Sequence, residues 1–84
     1  MIQRYRRKTN TIEAIQWNGT NLDEIMEFAK GSAKVMYNND ELYILTLDGV
    51  AKVFDGDWIV KGPHGEFYPC GSNVFSGTYE QVSQ

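Results

Sequence analysis

The residues best suited to bind a ligand lie at the start of the chain, where four cations occur within five positions. A guanidinium group binds a phosphate through two parallel hydrogen bonds, and a tyrosine ring offers a flat face for a base. The run therefore predicts phosphate contacts and one stacking contact for a small phosphorylated ligand. A solvated basic strand that protects the edge of a sheet is the competing interpretation. The cations are Arg4, Arg6, Arg7 and Lys8, and Tyr5 lies among them.

The distribution of charge along the chain excludes some classes of ligand. The 84-residue chain has a formal net charge of −3, yet residues 1–8 carry four cations and no acid, whereas the rest carries four lysines and all 11 acids. An acidic body repels a long nucleic acid, whose many phosphates need a broad basic face. We therefore expect no long nucleic acid as a partner and keep a small anion bound beside the basic run.

Six aromatic side chains next to predicted turns form a second group of candidates. A chain of this size needs large side chains to build a core, so most of the six are expected there. Trp17 and Tyr68 are the expected exceptions, because each ends a strand near a glycine or proline and carries a polar group. The whole group is Trp17, Trp58, Phe67, Tyr68, Phe75 and Tyr79.

Catalytic and metal chemistry find little support in the sequence. Cys70 and His64 are the only residues of their types, lie six positions apart, and have no acid placed to orient the histidine. A semi-buried cysteine and a surface histidine are the better interpretation. One His and one Cys do not complete a zinc site, and Asp55 and Asp57 lack the remaining oxygen ligands of a calcium loop. We expect no enzyme activity, no metal and no cofactor.

One helix is predicted after position 20. Asn21 suits the N-cap, and Glu24 three residues later completes a near-match to the capping box. An apolar stripe follows at helical spacing, and Gly31 is expected to end the helix. The stripe consists of Leu22, Ile25, Met26 and Ala29.

Two-residue periodicity predicts short strands over most of the remaining chain, and Asp48–Gly49 indicates a hairpin with a type I′ turn. The sequence thus predicts one domain, residues 1–84, of the α+β class: one short helix packed on a small, twisted, mostly antiparallel β-sheet or half-open barrel. No apolar run is long enough for a membrane span, no signal-peptide pattern follows Met1, and the single cysteine fits a reducing cytoplasm.

Both halves of the chain carry a specific pattern. Residues 56–62 read GDWIVKG, residues 65–70 read GEFYPC, residues 78–80 read TYE, and residues 12–17 in the first half read IEAIQW. The pattern closely resembles small phage and prophage proteins of the PGDYG-like kind, in which a G-D-[YW]-I-[IV]-K-G strand precedes G-E-F-Y-P-C. Asp55 departs from it, because the family usually has proline there.

This resemblance implies a phage-encoded, cytoplasmic, non-enzymatic accessory protein. Small phage proteins of this build resemble counter-defence sponges, which hold the cyclic-nucleotide alarm signals of the host. The chain is similar in size to an anti-CBASS sponge family whose tetramers bind 3′3′-cyclic GMP–AMP. The Trp17–Asn18–Gly19 turn and the Asp57–Trp58 strand are also similar to motifs of the Thoeris anti-defence sponges.

The expected function is therefore sequestration of a cyclic dinucleotide without cleavage. One small subunit cannot enclose such a ligand, so a homo-oligomer, with a tetramer favoured, is expected to form sites between subunits. Inhibition of a host protein by direct contact is the alternative; hydrolysis of the signal and a structural role in the virion are weaker ones. The expected binding residues are Arg4, Tyr5, Arg6, Arg7, Lys8, Trp17, Lys61 and Tyr68.

Overall fold

A computed structural model describes residues 2–7, 10–29 and 35–81, which form strands and two short helices. The predicted α+β class is confirmed, and each strand pair among these residues is antiparallel. In chain order the elements are β1 Gln3–Arg7, β2 Asn10–Gln16, α1 Leu22–Phe28, β3 Val35–Asn38, β4 Glu41–Thr46, β5 Gly49–Val53, β6 Trp58–Lys61, β7 Phe67–Cys70, α2 Ser72–Thr78 and β8 Glu80–Gln81.

The strands divide into two sheets. The larger has the order β7-β6-β2-β1-β8, and the smaller has the order β3-β4-β5. The smaller sheet is a meander of local hairpins, whereas β2 pairs with β6 across more than 40 positions of the chain. Sequence periodicity identifies strands but not such distant partners, so it could not divide the strands between two sheets.

Strand β2 is buried on both of its faces, which makes the larger sheet the middle layer of the protein. Ile15 and the adjoining Trp17 belong to a cluster with α1 and the smaller sheet. Ile12 and Ala14, on the opposite face, belong to a second cluster with Phe75 of α2. The side of the larger sheet that carries Ile12 and Ala14 is called the α2 face below.

Helix α1 begins where the sequence predicts, after Asn21, and the structure describes it as far as Phe28, with Ala29 as its C-cap. The predicted end at Gly31 lies outside the described residues. Ile25 and Ala29 are buried as expected, but Met26 is exposed and Phe28 is buried instead. The reason is an aromatic contact outside the helix: Phe28 packs edge-on against Phe67 of β7, with ring centroids 5.7 Å apart. That contact turns the buried face of the helix away from Met26.

Helix α2 was not predicted. Its sequence, SNVFSGT, contains glycine, serine, asparagine and a β-branched valine, which are all poor helix formers. The helix is held by one side chain, since Phe75 is 2% exposed and stacks on Trp58 with a centroid distance of 4.3 Å and an interplanar angle of 5°. Both helices have seven residues, and no helix within the described ranges is long and apolar enough to cross a membrane.

The type I′ turn lies in a different hairpin from the predicted one. That turn type needs positive φ at both central residues. Asn39 and Asp40 between β3 and β4 satisfy this, with φ of 53° and 64°. In the hairpin at Asp48–Gly49, Thr46 pairs with Gly49 and only the glycine has positive φ, 113°. The glycine therefore lies at the start of β5, and the predicted turn type is wrong.

The stack of Phe75 on Trp58 should hold α2 on the sheet. We expect Phe75→Ala to lower the free energy of unfolding by about 3–5 kcal/mol, because it empties a buried aromatic site. The neighbouring Val74 is 64% exposed, so Val74→Ala should change stability by less than about 0.5 kcal/mol. Urea unfolding followed by tryptophan fluorescence measures both. If Phe75→Ala does not fold, Phe75→Leu should show a smaller loss; equal effects at 74 and 75 would contradict the assignment.

Candidate functional site

The basic run forms strand β1, which is an inner strand of the larger sheet. It pairs with β2 along its whole length and with β8 at two positions, Tyr5 with Gln81 and Arg6 with Glu80. Because β8 covers Tyr5 and Arg6, the competing interpretation of the run as an edge strand is wrong at those two positions. Lys8 lies outside the described residues.

The strand register separates the cations into two sets. Arg4 lies opposite Glu13, and Glu13 lies opposite Lys61 on its other side, so one acid position lies between two cationic ones. Arg6 lies opposite Glu80. Residues directly opposite in an antiparallel pair share a face, and opposite charges there attract. In the register, the positions of Arg4, Arg6 and Lys61 therefore each lie opposite an acidic position, on the face of the sheet that packs towards α1.

The other face of β1 has a different environment. Tyr5 lies opposite Ile12 and Gln81, and Arg7 lies opposite Asn10. All three partners are uncharged, and the alternation of the strand puts Tyr5 and Arg7 on the α2 face. The register therefore combines one cationic and one aromatic position on a face of β1 that has no acidic cross-strand partner among the described residues.

Trp17 is a core residue, which corrects the prediction that it stacks on a ligand. It is 1% exposed, and its ring lies edge-on to Tyr37 with centroids 5.9 Å apart. Its backbone also joins two loops: its N–H donates to the carbonyl of Asp57 at 2.9 Å, and its carbonyl accepts from the N–H of Gly56 at 2.7 Å. A ring buried to this extent has no free face for a base. A strand end beside a glycine does not reveal this, since the burial comes from contacts with α1 and the smaller sheet.

Tyr68 is half-buried on the α2 face. Its hydroxyl lies 2.9 Å from that of Tyr79, and its side chain packs against the cluster that contains Phe75. Of the six aromatic candidates, Trp17, Phe67, Phe75 and Tyr79 are buried, so the expectation that most belong to the core is confirmed. Tyr68 shares a face with Tyr5, but its strand is three strands away in the order β7-β6-β2-β1. At about 4.8 Å per strand the two positions are roughly 14 Å apart, too far to enclose one base within a subunit.

The loop before α1 depends on Asn21, a role that the capping-box pattern did not predict. The Asn21 side chain makes no helix-cap hydrogen bond. Its Nδ2 instead donates to the carbonyl of Gln16 at 2.8 Å and to Oε1 of Glu24 at 3.1 Å, and its Oδ1 accepts from the N–H of Asn18 at 3.0 Å. The amide thus fastens the end of β2 to the start of the helix and keeps Trp17 in place.

Among the hollows at the surface of the described residues are two whose walls contain neither a residue of β1 nor Lys61. The first has about 490 Å³ and lies between the β4–β5 hairpin and β7; of the expected binding residues it contains only Tyr68. The second has about 370 Å³ and is lined by Trp17, Asp40, Glu41, Lys52, Val53, Phe54 and Asp55. Three carboxylates against one ammonium make the second hollow unsuitable for a phosphorylated ligand.

The cation of the second hollow is already paired. Lys52 Nζ lies 2.8 Å from Oε2 of Glu41 and 4.9 Å from the centre of the Phe54 ring. Tyr43 donates its hydroxyl to the other oxygen of Glu41 at 2.8 Å. The hydrogen bond from Lys52, with a further contribution from Tyr43, lowers the pKa of Glu41, and the same bond from Glu41 raises the pKa of Lys52.

The surroundings of Cys70 disfavour the reactive form of its thiol. Burial raises the pKa of the Cys70 thiol, and the charge of Asp57 adds to the effect. A raised pKa keeps the group as a thiol, whereas a nucleophile needs the thiolate. His64 is exposed in a turn. Within residues 2–7, 10–29 and 35–81, no three His, Cys, Asp or Glu side chains cluster closely enough to hold a metal ion.

Replacing Lys52 should change how Glu41 titrates. We expect Lys52→Met to raise the pKa of Glu41 towards its ordinary value, because the largest cause of the depression is removed. Because the pKa of Glu41 is depressed in the folded protein, its carboxylate stabilises the fold when the pH is above 4.5, the ordinary pKa of the group. This stability is lost as the pH falls through the depressed pKa. Glu41→Gln should therefore weaken the dependence of stability on acid. NMR titration of Glu41 measures the first effect. Lys61→Met is the control, and an equal shift in it would contradict the pairing.

Comparisons with known proteins identify no relative of this chain. No family model, no curated protein and no solved structure matches the chain. The resemblance to PGDYG-like phage proteins, carried by the residues quoted above, stays a prediction. A functional assignment for this chain therefore depends on its own charges, register and surfaces.

Proposed function

We propose that the protein binds a cyclic dinucleotide such as 3′3′-cyclic GMP–AMP and holds it without cleaving it. In this role it would be a phage counter-defence sponge that acts in the cytoplasm of the infected cell. The observation that carries the proposal is the register of β1, in which Arg7 and Tyr5 share a face and lie opposite uncharged residues. One position supplies a phosphate contact and the other a stacking contact.

The register ranks the expected binding residues. Arg7 and Tyr5 come first, because no acidic position opposes them in the described sheet. Arg4, Arg6 and Lys61 come second, since each lies opposite an acid that competes with a phosphate for the same charge. Lys8 continues the basic run in sequence and keeps its proposed role as a phosphate contact.

The symmetry of the ligand favours an oligomer. A cyclic dinucleotide has two phosphates and two bases related by an approximate two-fold axis. One subunit has a single Arg7–Tyr5 pair, and Tyr68 is roughly 14 Å from it across the sheet. Two copies related by a two-fold axis would bring two such pairs to the two halves of one ligand. We therefore retain the homo-oligomer, with a tetramer favoured, as part of the proposal.

A protein that binds its ligand without cleaving it does not need a reactive cysteine, which agrees with the raised pKa of Cys70. Burial and the charge of Asp57 raise the pKa of the Cys70 thiol, which disfavours the nucleophilic thiolate. Holding a ligand intact needs only complementary charge and flat surfaces, and it gains from a protein that does not activate a nucleophile. The proposal is therefore a sponge and not a hydrolase.

The proposal is tested by incubating the purified protein with 3′3′-cyclic GMP–AMP, removing free nucleotide, and then denaturing the protein by heat. Intact nucleotide should be recovered only after denaturation. Arg7→Gln should weaken binding about tenfold or more, because a hydrogen bond to a charged group contributes about 1.5–3 kcal/mol. The matched variant Arg4→Gln, which removes the same charge opposite Glu13, should weaken binding much less.

Three outcomes would contradict parts of this proposal. No binding at micromolar protein would overturn sequestration, and recovery of linear products would replace it by hydrolysis. Equal losses in Arg7→Gln and Arg4→Gln would overturn the ranking by register. Circular dichroism of both variants establishes that each is folded before binding is measured.

A second candidate function, inhibition of a host protein by direct contact, is favoured by a separate surface. Leu47 is 85% exposed, Val50 59% and Leu45 42%, and all three lie at the end of the β4–β5 hairpin. Leu45 and Val50 are directly opposite in the register, so they share a face. Neighbouring exposed apolar side chains at one end of a small protein are typical of a protein-binding surface.

This second function predicts a stoichiometric host protein in affinity purification from infected cells. Leu47→Ser should remove that protein, because it takes away the most exposed apolar side chain without touching the core. Val74→Ser on α2 is the matched control, since Val74 is also exposed and apolar but lies on another element. Capture that is equal in the wild type and in Leu47→Ser would exclude this surface, and a purified sample that retains only nucleotide would favour the sponge.

A further inference from the structure

The hollow of about 490 Å³ has the size and shape of a binding groove. It runs between the β4–β5 hairpin and strand β7, and a smaller hollow of about 150 Å³ extends it past Leu45. Its volume lies within the range of sites that hold small molecules or peptide side chains. The groove is lined by Thr46, Leu47, Asp48, Ala51, Glu66, Phe67, Tyr68 and Pro69.

The walls of the groove combine apolar side chains with negative charge. Leu47, Phe67 and Pro69 supply apolar surface, while Asp48 and Glu66 supply two carboxylates, and none of the described residues that line the groove is basic. One oxygen of Glu66 accepts the N–H of His64 at 2.9 Å, which holds the carboxylate at the turn before β7. An occupant complementary to these walls carries an apolar group beside a positive charge.

The groove lies between the ends of two sheets. Strand β7 is the last strand of the larger sheet, and β5 is the last strand of the smaller one, in the described topology. Pro69 lies within β7 and has no N–H, so it cannot donate to an added strand at that position. Recognition there therefore depends on side chains that enter the groove, with less contribution from backbone pairing.

From this arrangement we infer that the groove binds an extended segment of a partner protein in which an apolar side chain is flanked by lysine or arginine. The apolar side chain packs against Leu47 and Phe67, and the flanking cations face Asp48 and Glu66. This inference rests on the second candidate function, contact with a host protein, and specifies the chemistry of the segment that is recognised. It does not involve Arg7 or Tyr5, which belong to the larger sheet beyond β6 and β2.

The test uses dye-labelled synthetic peptides and the full chain. One peptide has two leucines flanked by lysines, and a matched peptide has glutamates in place of the lysines. Fluorescence anisotropy should show binding of the lysine peptide that weakens as salt is added, and binding of the glutamate peptide that is about tenfold weaker or more. Asp48→Asn combined with Glu66→Gln should weaken binding of the lysine peptide several-fold, because both carboxylates lose their charge.

Two controls make the result specific to the groove. Asp23→Asn removes one exposed carboxylate on α1 that does not line the groove, and it should leave peptide binding unchanged. Leu47→Ser should weaken binding of the lysine peptide, and Val74→Ser should not. The inference would be overturned if the two peptides bind equally well, or if neither binds. A dimer in sedimentation that Leu47→Ser abolishes would also overturn it, because a second copy would then occupy the groove.

Failure of the inference is distinguishable from failure of the host-protein function. If a host protein is captured equally by the wild type and by the Asp48→Asn, Glu66→Gln variant, the groove is overturned while the host-protein function is kept. If the lysine peptide binds as expected and no host protein is captured, the groove is supported and the host-protein function is overturned.

Discussion

Burial of strand β2 on both faces is the constraint on which the rest of the structure depends. Ala14 is 0% exposed and Ile15 1%, although they point to opposite sides of the sheet. Each side then needs its own cover: α1 with the smaller sheet on one, α2 on the other. A small chain gains much from such a strand, since one backbone segment buries apolar area in two clusters.

The same strand decides what the basic run can do. Because β1 pairs with β2 residue by residue, Glu13 is placed opposite Arg4, and Ile12 opposite Tyr5. The acidic positions opposite this run therefore lie on one face of β1, and the proposed nucleotide contacts belong to the other face. The groove beyond β7 is acidic and apolar, so the two proposed surfaces favour ligands of opposite charge.

Local sequence patterns predicted helices and strands well where neighbouring residues alone determine the structure. Asn21 marked the start of α1, and the strand that the family pattern implies for GDWIVKG is formed by residues 58–61. These patterns failed where a contact with a residue far along the chain determines the local structure or the burial of a side chain. The residues of α2 are poor helix formers and become helical through the stack of Phe75 on Trp58. Trp17 looked like a strand-end aromatic but is buried in the cluster with α1 and the smaller sheet. The groove was not predicted, because Asp48 and Glu66 are 18 positions apart.

By itself the sequence determined the α+β class, the strand periodicity, the concentration of cations in residues 1–8 and the acidic character of the remainder, since these depend on residue type and near-neighbour spacing. Only the tertiary structure decided which cations lie opposite acids, that Trp17 belongs to the core, and that a hairpin and an edge strand enclose a groove. Those properties depend on strand register and on contacts between residues far apart in the chain, and a one-residue change of register would move every side chain of β1 to the other face.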